Sequence, residues 1–296
     1  MNPRTVLLAL AVTAAPPALA ADPPDIGGVA DREGARTLAL GGGVGVASGN
    51  EGIFVNPGAT AARKRYGVGS LFATDRRGGT TDGQWLGASV VDSSSASVAV
   101  SLAYLHALEG LQTGNVFYLG FAGSVAERCY LGVQGRYFDL AGKNPLGLDE
   151  KVSAVTGDVG LYWEVSDAIT LGAAGYNLVP TGHAASTPRG VGAGLALGSD
   201  TSVKLTADWR GDFDRTARST NRYAVGVEAL LGGTAPLRAA WQRDETHHTS
   251  WWSAGIGLVT QGGVSLDLGY RQSIATPDAR TIVVSLVVYN LDMAAP

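Results

Sequence analysis

The sequence predicts an all-β protein, a transmembrane antiparallel β-barrel of about 14 strands. Strand-length segments that alternate apolar and polar residues run from residue 65 to residue 290, as in Val264–Arg271. Because successive side chains of a strand point to opposite faces, each such strand has one apolar side and one charged side. An export signal precedes the segments, and many of the apolar faces end in tryptophan or tyrosine. Outer-membrane barrels combine these features, with the apolar side against lipid and the charged side towards a lumen.

Residues 1–20 have the pattern of a cleaved secretory signal peptide. Arg4 gives a positive start, Val6–Ala15 is an apolar run, and Ala18-Leu19-Ala20 is an A-x-A cleavage site. That run is shorter than the roughly 20 apolar residues of a transmembrane helix, and no later stretch reaches this length. The sequence therefore excludes a helical membrane protein and predicts export to the cell outer membrane.

Charge and cysteine content exclude further classes. The chain has 22 Lys and Arg against 26 Asp and Glu, a formal net charge of −4, and no basic block, which argues against nucleic-acid binding. Cys129 is the only cysteine, so neither a disulfide framework nor a thiolate zinc site is expected. The 42 glycines suit tight turns and a crowded lumen.

The segments have the roughly ten-residue length that spans a membrane when a strand is tilted. Their expected cores are Tyr66–Thr74, Gln84–Val91, Ser97–Leu105, Val116–Ala126, Tyr130–Leu140, Ala154–Val165, Ile169–Leu178, Gly190–Leu197, Ser202–Arg210, Arg222–Leu231, Pro236–Arg243, Trp251–Val259, Val264–Arg271 and Thr281–Tyr289. Connections are expected to alternate in length. Short glycine-bearing turns are predicted at 198–200, 232–234 and 261–263, and longer polar loops at 210–221, 244–250 and 273–279.

A soluble β-sandwich or lipocalin-like barrel, with its apolar faces inward, is the alternative fold. Two observations disfavour it. Charged residues recur at mid-strand opposite faces that end in Trp or Tyr, and an eight-stranded soluble barrel would not use this many segments. A Lys or Arg on the lipid face near mid-bilayer also costs roughly 2–4 kcal/mol, so the charged faces should point inward.

The inward charged face supplies the candidate site residues. Those predicted to line the lumen are Arg136, Asp158, Lys204, Asp208, Glu228, Arg238, Asp267 and Arg271. The favoured interpretation is a ladder of ion pairs that fills and stiffens the lumen, and the alternative is a polar path or a site for the charged head of a ligand. Glu228, Arg238 and Asp267 are on neighbouring strands and are expected to pair, and Arg238 is the first candidate for mutation.

The apolar faces supply candidate membrane-interface aromatics. Those assigned to the outward face are Tyr66, Trp85, Tyr104, Tyr137, Trp163, Trp209, Tyr223, Trp241, Trp252 and Tyr270.

No enzyme, metal or cofactor site is predicted. Ser101 and His106 are five residues apart, hence on opposite faces of one strand, and do not form a nucleophile–base pair. All four histidines are placed at strand ends or in loops, and His247-His248 is interpreted as part of a polar loop rather than a metal site. Gly41–Gly45 has neither the preceding strand nor the following helix of a dinucleotide loop.

The glycine-rich head carries a family resemblance. Ala35–Gly42 reads ARTLALGG and Phe54–Gly58 reads FVNPG. This resembles the FadL-like outer-membrane β-barrel superfamily, which includes long-chain fatty-acid transporters and PorV-type proteins, and whose N-termini share a pattern close to ARxLxMGGAxxA…xxNPAGL. Gly157–Leu178 is similar to the family's GxxxGxxN-L strand pair, and Val225–Gly257 to its C-terminal GxEY…LRAGY…GLG hairpins.

The resemblance implies fourteen strands and an N-terminal plug folded into the barrel. Residues 21–64 would be that plug (hatch), with Gly41, Gly42, Asn56 and Pro57 as its motif, residues 65–290 the barrel, and 291–296 a C-terminal tail. A flexible periplasmic leader is the alternative for residues 21–64. The chain departs from the family in having Asn-Pro-Gly for Asn-Pro-Ala and in its shorter loops.

Two functions follow from the resemblance. The first is passage or binding of a hydrophobic or amphipathic small molecule through plug and lumen. The second is a PorV-like docking or assembly role with a secretion or surface-protein partner, without transport. Outer-membrane lipid is the expected surrounding of both.

Overall fold

The computed structural model describes residues 32–144, 148–215, 218–246 and 248–290. The predicted signal peptide (1–20), the C-terminal tail (291–296) and His247 lie outside the described residues. Within those residues no helix combines the length and apolar character needed to cross a membrane.

The strands form one closed antiparallel barrel in which each strand pairs with its neighbours in the chain and β1 pairs with β14. The strands are β1 (Tyr66–Arg77), β2 (Thr80–Asp92), β3 (Val98–Gly110), β4 (Gln112–Ala126), β5 (Cys129–Lys143), β6 (Asp149–Ser166), β7 (Ile169–Tyr176), β8 (Gly190–Gly198), β9 (Val203–Asp212), β10 (Thr220–Leu231), β11 (Ala235–Asp244), β12 (Thr249–Val259), β13 (Val264–Ser273) and β14 (Arg280–Asn290). Each expected segment forms one of these strands, so the predicted fold class is confirmed.

The two faces of the wall differ as the alternation predicts. Leu102, Val133 and Val225 point outward and are 51%, 52% and 54% exposed, whereas Arg136 and Arg238 point inward and are buried. An apolar surface of this extent around a whole molecule is stable only when hydrocarbon covers it. The fold is therefore that of an outer-membrane barrel.

Trp85 corrects the assignment of outward aromatics. Its side chain is 3% exposed and faces the interior, because the neighbouring outward position of β2 is taken by Leu86, which is 51% exposed. The pleat then turns Trp85 inward, where the Arg32 guanidinium lies 4.7 Å from the centre of its ring.

His106 also differs from expectation. It lies within β3 rather than at a strand end, and its Nδ1 is 2.8 Å from Asn115 Oδ1.

The barrel has two rims. At the rim where β1 begins and β14 ends, here called the terminal rim, the connections are 93–97, 127–128, 167–168, 199–202, 232–234 and 260–263. At the opposite loop rim they are 78–79, 111, 144–148, 177–189, 213–219, 245–248 and 274–279. In the second half of the chain the expected difference in length holds for the connections 213–219 and 274–279, but 245–248 is no longer than the turns 199–202 and 260–263. It also fails in the first half, where Gly78 and Gly79 close a tight turn with positive φ of 55° and 85°.

Candidate functional site in the barrel interior

The N-terminal segment, residues 32–65, lies inside the barrel. It contains helices α1 (Ala35–Ala39) and α2 (Gly52–Val55) and the 3₁₀ turns Gly49–Glu51 and Pro57–Ala61. These elements contact β1 to β6 on one side and β11 to β14 on the other. A short segment can reach opposite sides of a closed wall only from within.

Inward-facing glycines bring the backbone of this segment directly against the wall. A Cβ on Gly160 of β6 would lie 2.7 Å from Pro57 Cδ, and one on Gly226 of β10 would lie 2.7 Å from the Leu40 carbonyl oxygen. Gly194 of β8 likewise contacts the backbone of Gly45. These separations leave no room for any side chain. The segment can therefore pack against the wall only because these wall positions are glycine.

Asn56 and Pro57 of the predicted motif form the junction with Gly160 of β6. The fully buried Asn56 donates from Nδ2 to the carbonyls of Val44 and Leu161, both at 2.9 Å, and its Oδ1 accepts the Gly58 N–H at 3.2 Å. Pro57 begins the following 3₁₀ turn, where its missing N–H is not needed. One side chain thus joins two parts of the segment to β6.

Gly41 and Gly42 lie at the opposite side of the interior. Gly41 follows α1 with a φ of 72°, a left-handed conformation that favours glycine. Asp208 faces this loop from β9, and its Oδ1 accepts the Val44 N–H at 2.7 Å. Asp208 forms no ion pair within the residues that the structure describes, so its carboxylate is satisfied by backbone rather than by a cation.

Arg238 is the centre of a buried ionic network. Its Nε lies 2.6 Å from Glu228 Oε2 and its Nη1 lies 2.5 Å from Asp267 Oδ1, so the expected pairing of these three residues is present. The expectation that they lie on neighbouring strands is wrong for Asp267, because β12 separates β11 from β13. Glu228 also accepts from Arg36 of α1 at 2.8 Å. The network therefore joins β10, β11 and β13 to the N-terminal segment. Lys204, close by on β9, pairs with Asp200 of the adjoining turn.

The remaining predicted lumen residues are also paired. Arg136 Nη2 lies 2.7 Å from Asp158 Oδ1 and 2.7 Å from Asn177 Oδ1 of the 177–189 loop. Arg271 Nη1 lies 3.4 Å from Glu33 Oε1. All eight predicted side chains thus face the interior, and seven are in ion pairs. This arrangement agrees with the favoured ladder, although several partners come from the N-terminal segment and a turn rather than from neighbouring strands.

An apolar cluster inside the barrel was not predicted. It occupies the loop-rim part of β1 to β6 and β14 and includes Leu71, Ala73, Trp85, Leu105, Val116, Tyr118, Phe138, Leu140, Val152 and Val283. Leu38 and Ile53 of the N-terminal segment belong to it, and Phe54 packs against it with its ring 5.5 Å from that of Tyr118. The signal in the sequence is that β3 and β4 are apolar on both faces, which strict alternation does not explain.

Cavities lined by the described residues adjoin the N-terminal segment on two sides. The loop-rim cavity, of about 60 Å³, lies beside Phe54 and is lined by Val44, Tyr176, Arg210 and Gln242 among others. The terminal-rim cavity, of about 300 Å³, lies between the segment and β10 to β14. Phe54 therefore contacts both the loop-rim cavity and the apolar cluster.

No protein-family model matches the chain, and no curated protein sequence matches it. Solved structures do match. The CymD monoaromatic hydrocarbon channel superposes with a TM-score of 0.63 at 13% identity, covering 87% of this chain and 97% of that one. The Pseudomonas putida toluene transporter TodX gives 0.62 at 12%, covering 90% and 98%, and a Pseudomonas aeruginosa FadL homologue gives 0.58 at 14%, covering 86% and 97%.

At these identities the likeness concerns the fold, and it extends over nearly the whole length of each barrel. The first two structures are described as a channel and a transporter, and none of the three supports the docking alternative. The resemblance inferred from the glycine-rich head is confirmed: the chain has the fold of the FadL-like outer-membrane barrels.

Proposed function

We propose that this barrel passes a hydrophobic or amphipathic small molecule across the outer membrane, with the N-terminal segment acting as a plug. The observation that carries the proposal is the apolar cluster inside the wall. A barrel that conducts water and polar solutes needs a polar interior. Buried leucine, valine and aromatic side chains next to a cavity instead suit an apolar solute, since each favours contact with apolar surface over water.

The route suggested by the geometry passes Phe54. Its side chain is half-buried, lines the loop-rim cavity and packs on the apolar cluster. Elsewhere the segment meets the wall through glycines and backbone, or through side chains that are held by hydrogen bonds, such as Arg36 and Asn56, or are buried, such as Ile53. A rotamer change at Phe54 is therefore the smallest movement that connects the cavity to the cluster. The structures of similar fold described as a hydrocarbon channel and a toluene transporter support a solute of this class.

The test is uptake of two labelled probes, toluene and a long-chain fatty acid, by Gram-negative cells that lack their own hydrophobic channels. Cells that make the barrel should take up at least one probe several-fold faster than cells with an empty vector. Phe54→Gln, which puts an amide where an apolar ring stands, should reduce that uptake about tenfold. Phe213→Gln, on an exposed loop-rim position, is the matched control and should not change it. Uptake no faster than the empty vector for either probe would exclude the proposal.

A further inference from the structure

The terminal-rim cavity is separate from the apolar cluster and from the route proposed above. Its volume of about 300 Å³ is at the lower end of the range for small-molecule sites, roughly 300–1,000 Å³. It has both a charged and an apolar lining. The charged residues are Arg36, Arg63, Arg65, Arg238, Glu51, Asp200, Glu228 and Asp267, and the apolar ones include Leu230, Pro236, Val259 and Val287.

Three of the four arginines in this cavity are already neutralised. Arg36 and Arg238 both pair with Glu228, at 2.8 and 2.6 Å. Arg63 pairs with Glu164 of β6 at 2.5 Å and with Asp200 at 3.2 Å. Arg65 forms no ion pair with any carboxylate of the described residues. It is the cation of this cavity that lacks a counter-ion.

The Arg65 guanidinium is nevertheless held in a fixed place. Its central carbon lies 3.9 Å from the centre of the Tyr289 ring, a cation–π contact, and one of its nitrogens lies against Gly49. Gly49 has a φ of 57° and offers no Cβ, which lets the guanidinium approach its backbone. Burial lowers the pKa of Arg65 below its ordinary value, which reflects a cation removed from water without full compensation. An ordered guanidinium with free donors is suited to bind a planar carboxylate.

We propose that the terminal-rim cavity is a binding site for a compact organic monocarboxylate, with the Arg65 guanidinium as the group that binds the carboxylate. A single uncompensated cation among four carboxylates matches one negative charge rather than two, which favours a carboxylate over a phosphate dianion. The apolar residues of the lining suit a small hydrocarbon body, and the volume suits a molecule the size of benzoate. This site goes beyond the proposed passage and does not depend on it.

Glu51 gives the site a dependence on pH. Burial raises the pKa of Glu51 to about 7, with Arg36 and Arg238 lowering it and Asp267 and Glu228 raising it. Below that pH Glu51 is neutral, so the net charge of the cavity is more positive by one. A monocarboxylate should therefore bind more tightly at pH 6 than at pH 8, and Glu51→Gln should abolish the difference.

The test is titration of the purified full barrel in a zwitterionic detergent with 4-fluorobenzoate, followed by fluorine NMR at pH 6. Binding should be saturable, and Arg65→Gln should weaken it at least tenfold. Arg65→Lys, which keeps the charge and loses the planar group, should recover part of that loss. The matched control is Arg128→Gln, an exposed arginine of the same rim that pairs with Asp167, and it should bind as the wild type does. Unchanged heat-dependent mobility on gels would show that each variant is folded.

Three results would overturn the proposal. One is equal affinity of wild type and Arg65→Gln. Another is equal binding of the neutral analogue 4-fluorobenzyl alcohol, which would show that the charge is not recognised. The third is displacement of 4-fluorobenzoate by an equal concentration of inorganic phosphate, which would indicate a general anion site. Because binding is measured on isolated protein, loss of hydrophobic uptake in cells leaves this result unaffected, and the two proposals can fail separately.

Discussion

At the scale of single residues, Asn56 shows how one buried amide can hold a segment in place. Its three hydrogen bonds satisfy two backbone carbonyls and one backbone N–H that water does not reach. Each such bond contributes about 1 kcal/mol, and a carbonyl left unpaired in the interior costs more than the lost bond itself. The Asn-Pro step of the sequence motif thus has a direct structural use.

Asn56→Ala should loosen the N-terminal segment by about 2–4 kcal/mol, because it removes these three bonds and deprives the buried Val44 carbonyl of its Asn56 donor. Limited trypsin digestion checks this, since Arg36 is partly buried and paired with Glu228, and displacement of the segment would make it more accessible. The variant should be cut at Arg36 several-fold faster than the wild type. Asn115→Ala, which loses an outward-facing amide, is the control, and equal rates for the two variants would contradict the role given to Asn56.

Glu51 predicts a pH dependence of stability. Its folded-state pKa of about 7 lies above the ordinary value of 4.5, so the folded barrel binds this proton more tightly than the unfolded chain. The contribution is fully present below about pH 4.5 and is lost as the pH rises through 7. Urea unfolding at a series of pH values should show a fall in the free energy of unfolding over this window in the wild type that is smaller in Glu51→Gln. Parallel curves for the two proteins would refute this assignment.

At the scale of elements, the wall strands and the N-terminal segment are matched through glycine. A residue larger than glycine at position 160 would strike Asn56 and Pro57, whereas the outward Gly135 of β5 has nothing closer than 4.0 Å. The two positions have the same residue type on adjacent strands and differ in what they face.

Gly160→Ala should therefore displace the segment, and Gly135→Ala should be neutral. The displaced segment should show faster amide hydrogen exchange at residues 44–60, measured by mass spectrometry, while exchange in β5 and β6 stays slow. Faster exchange at residues 44–60 in Gly135→Ala, or no increase there in Gly160→Ala, would show that the glycines serve the turns and strands rather than the segment.

The strands show what the sequence can predict. β9 and β10 alternate strictly, so their bounds to within two residues, their faces and the inward positions of Lys204, Asp208 and Glu228 follow from period two alone. β3 and β4 are apolar on both sides, and alternation therefore could not separate lipid-facing from interior positions there. The apolar cluster was missed for that reason, and the inward Trp85 was missed because β2 likewise has neighbouring apolar residues, Trp85 and Leu86, on its two faces. The partners Glu33 and Arg36 were missed because no local pattern specifies how an irregular segment folds within a barrel.

At the scale of the whole molecule, the interior is divided. The side formed by β1 to β6 is largely apolar near the loop rim, and the side formed by β8 to β13 carries the ionic network. The N-terminal segment lies between them and contacts both. Its ion pairs orient it without adding much stability, because desolvation of buried charges offsets most of their attraction.

Deletion of residues 32–64 should convert the barrel into an open pore, because strand pairing closes the wall without help from the segment. In planar lipid bilayers the deletion variant should show discrete single-channel currents at neutral pH, whereas the full chain should show little conductance to ions. Unchanged heat-dependent gel mobility would establish that the shortened barrel is assembled. Full-chain currents as large as those of the variant would mean that the segment does not occlude the lumen.

The two-sided apolar character of β3 and β4 has a consequence for biogenesis. In most strands of such a barrel a charged face keeps the unfolded chain soluble until it inserts, but residues 98–108 and 116–123 present apolar side chains in both directions. In transit these stretches are liable to pair edge to edge with other chains. Export of this protein should accordingly depend more heavily on periplasmic chaperones than export of a porin whose strands alternate throughout.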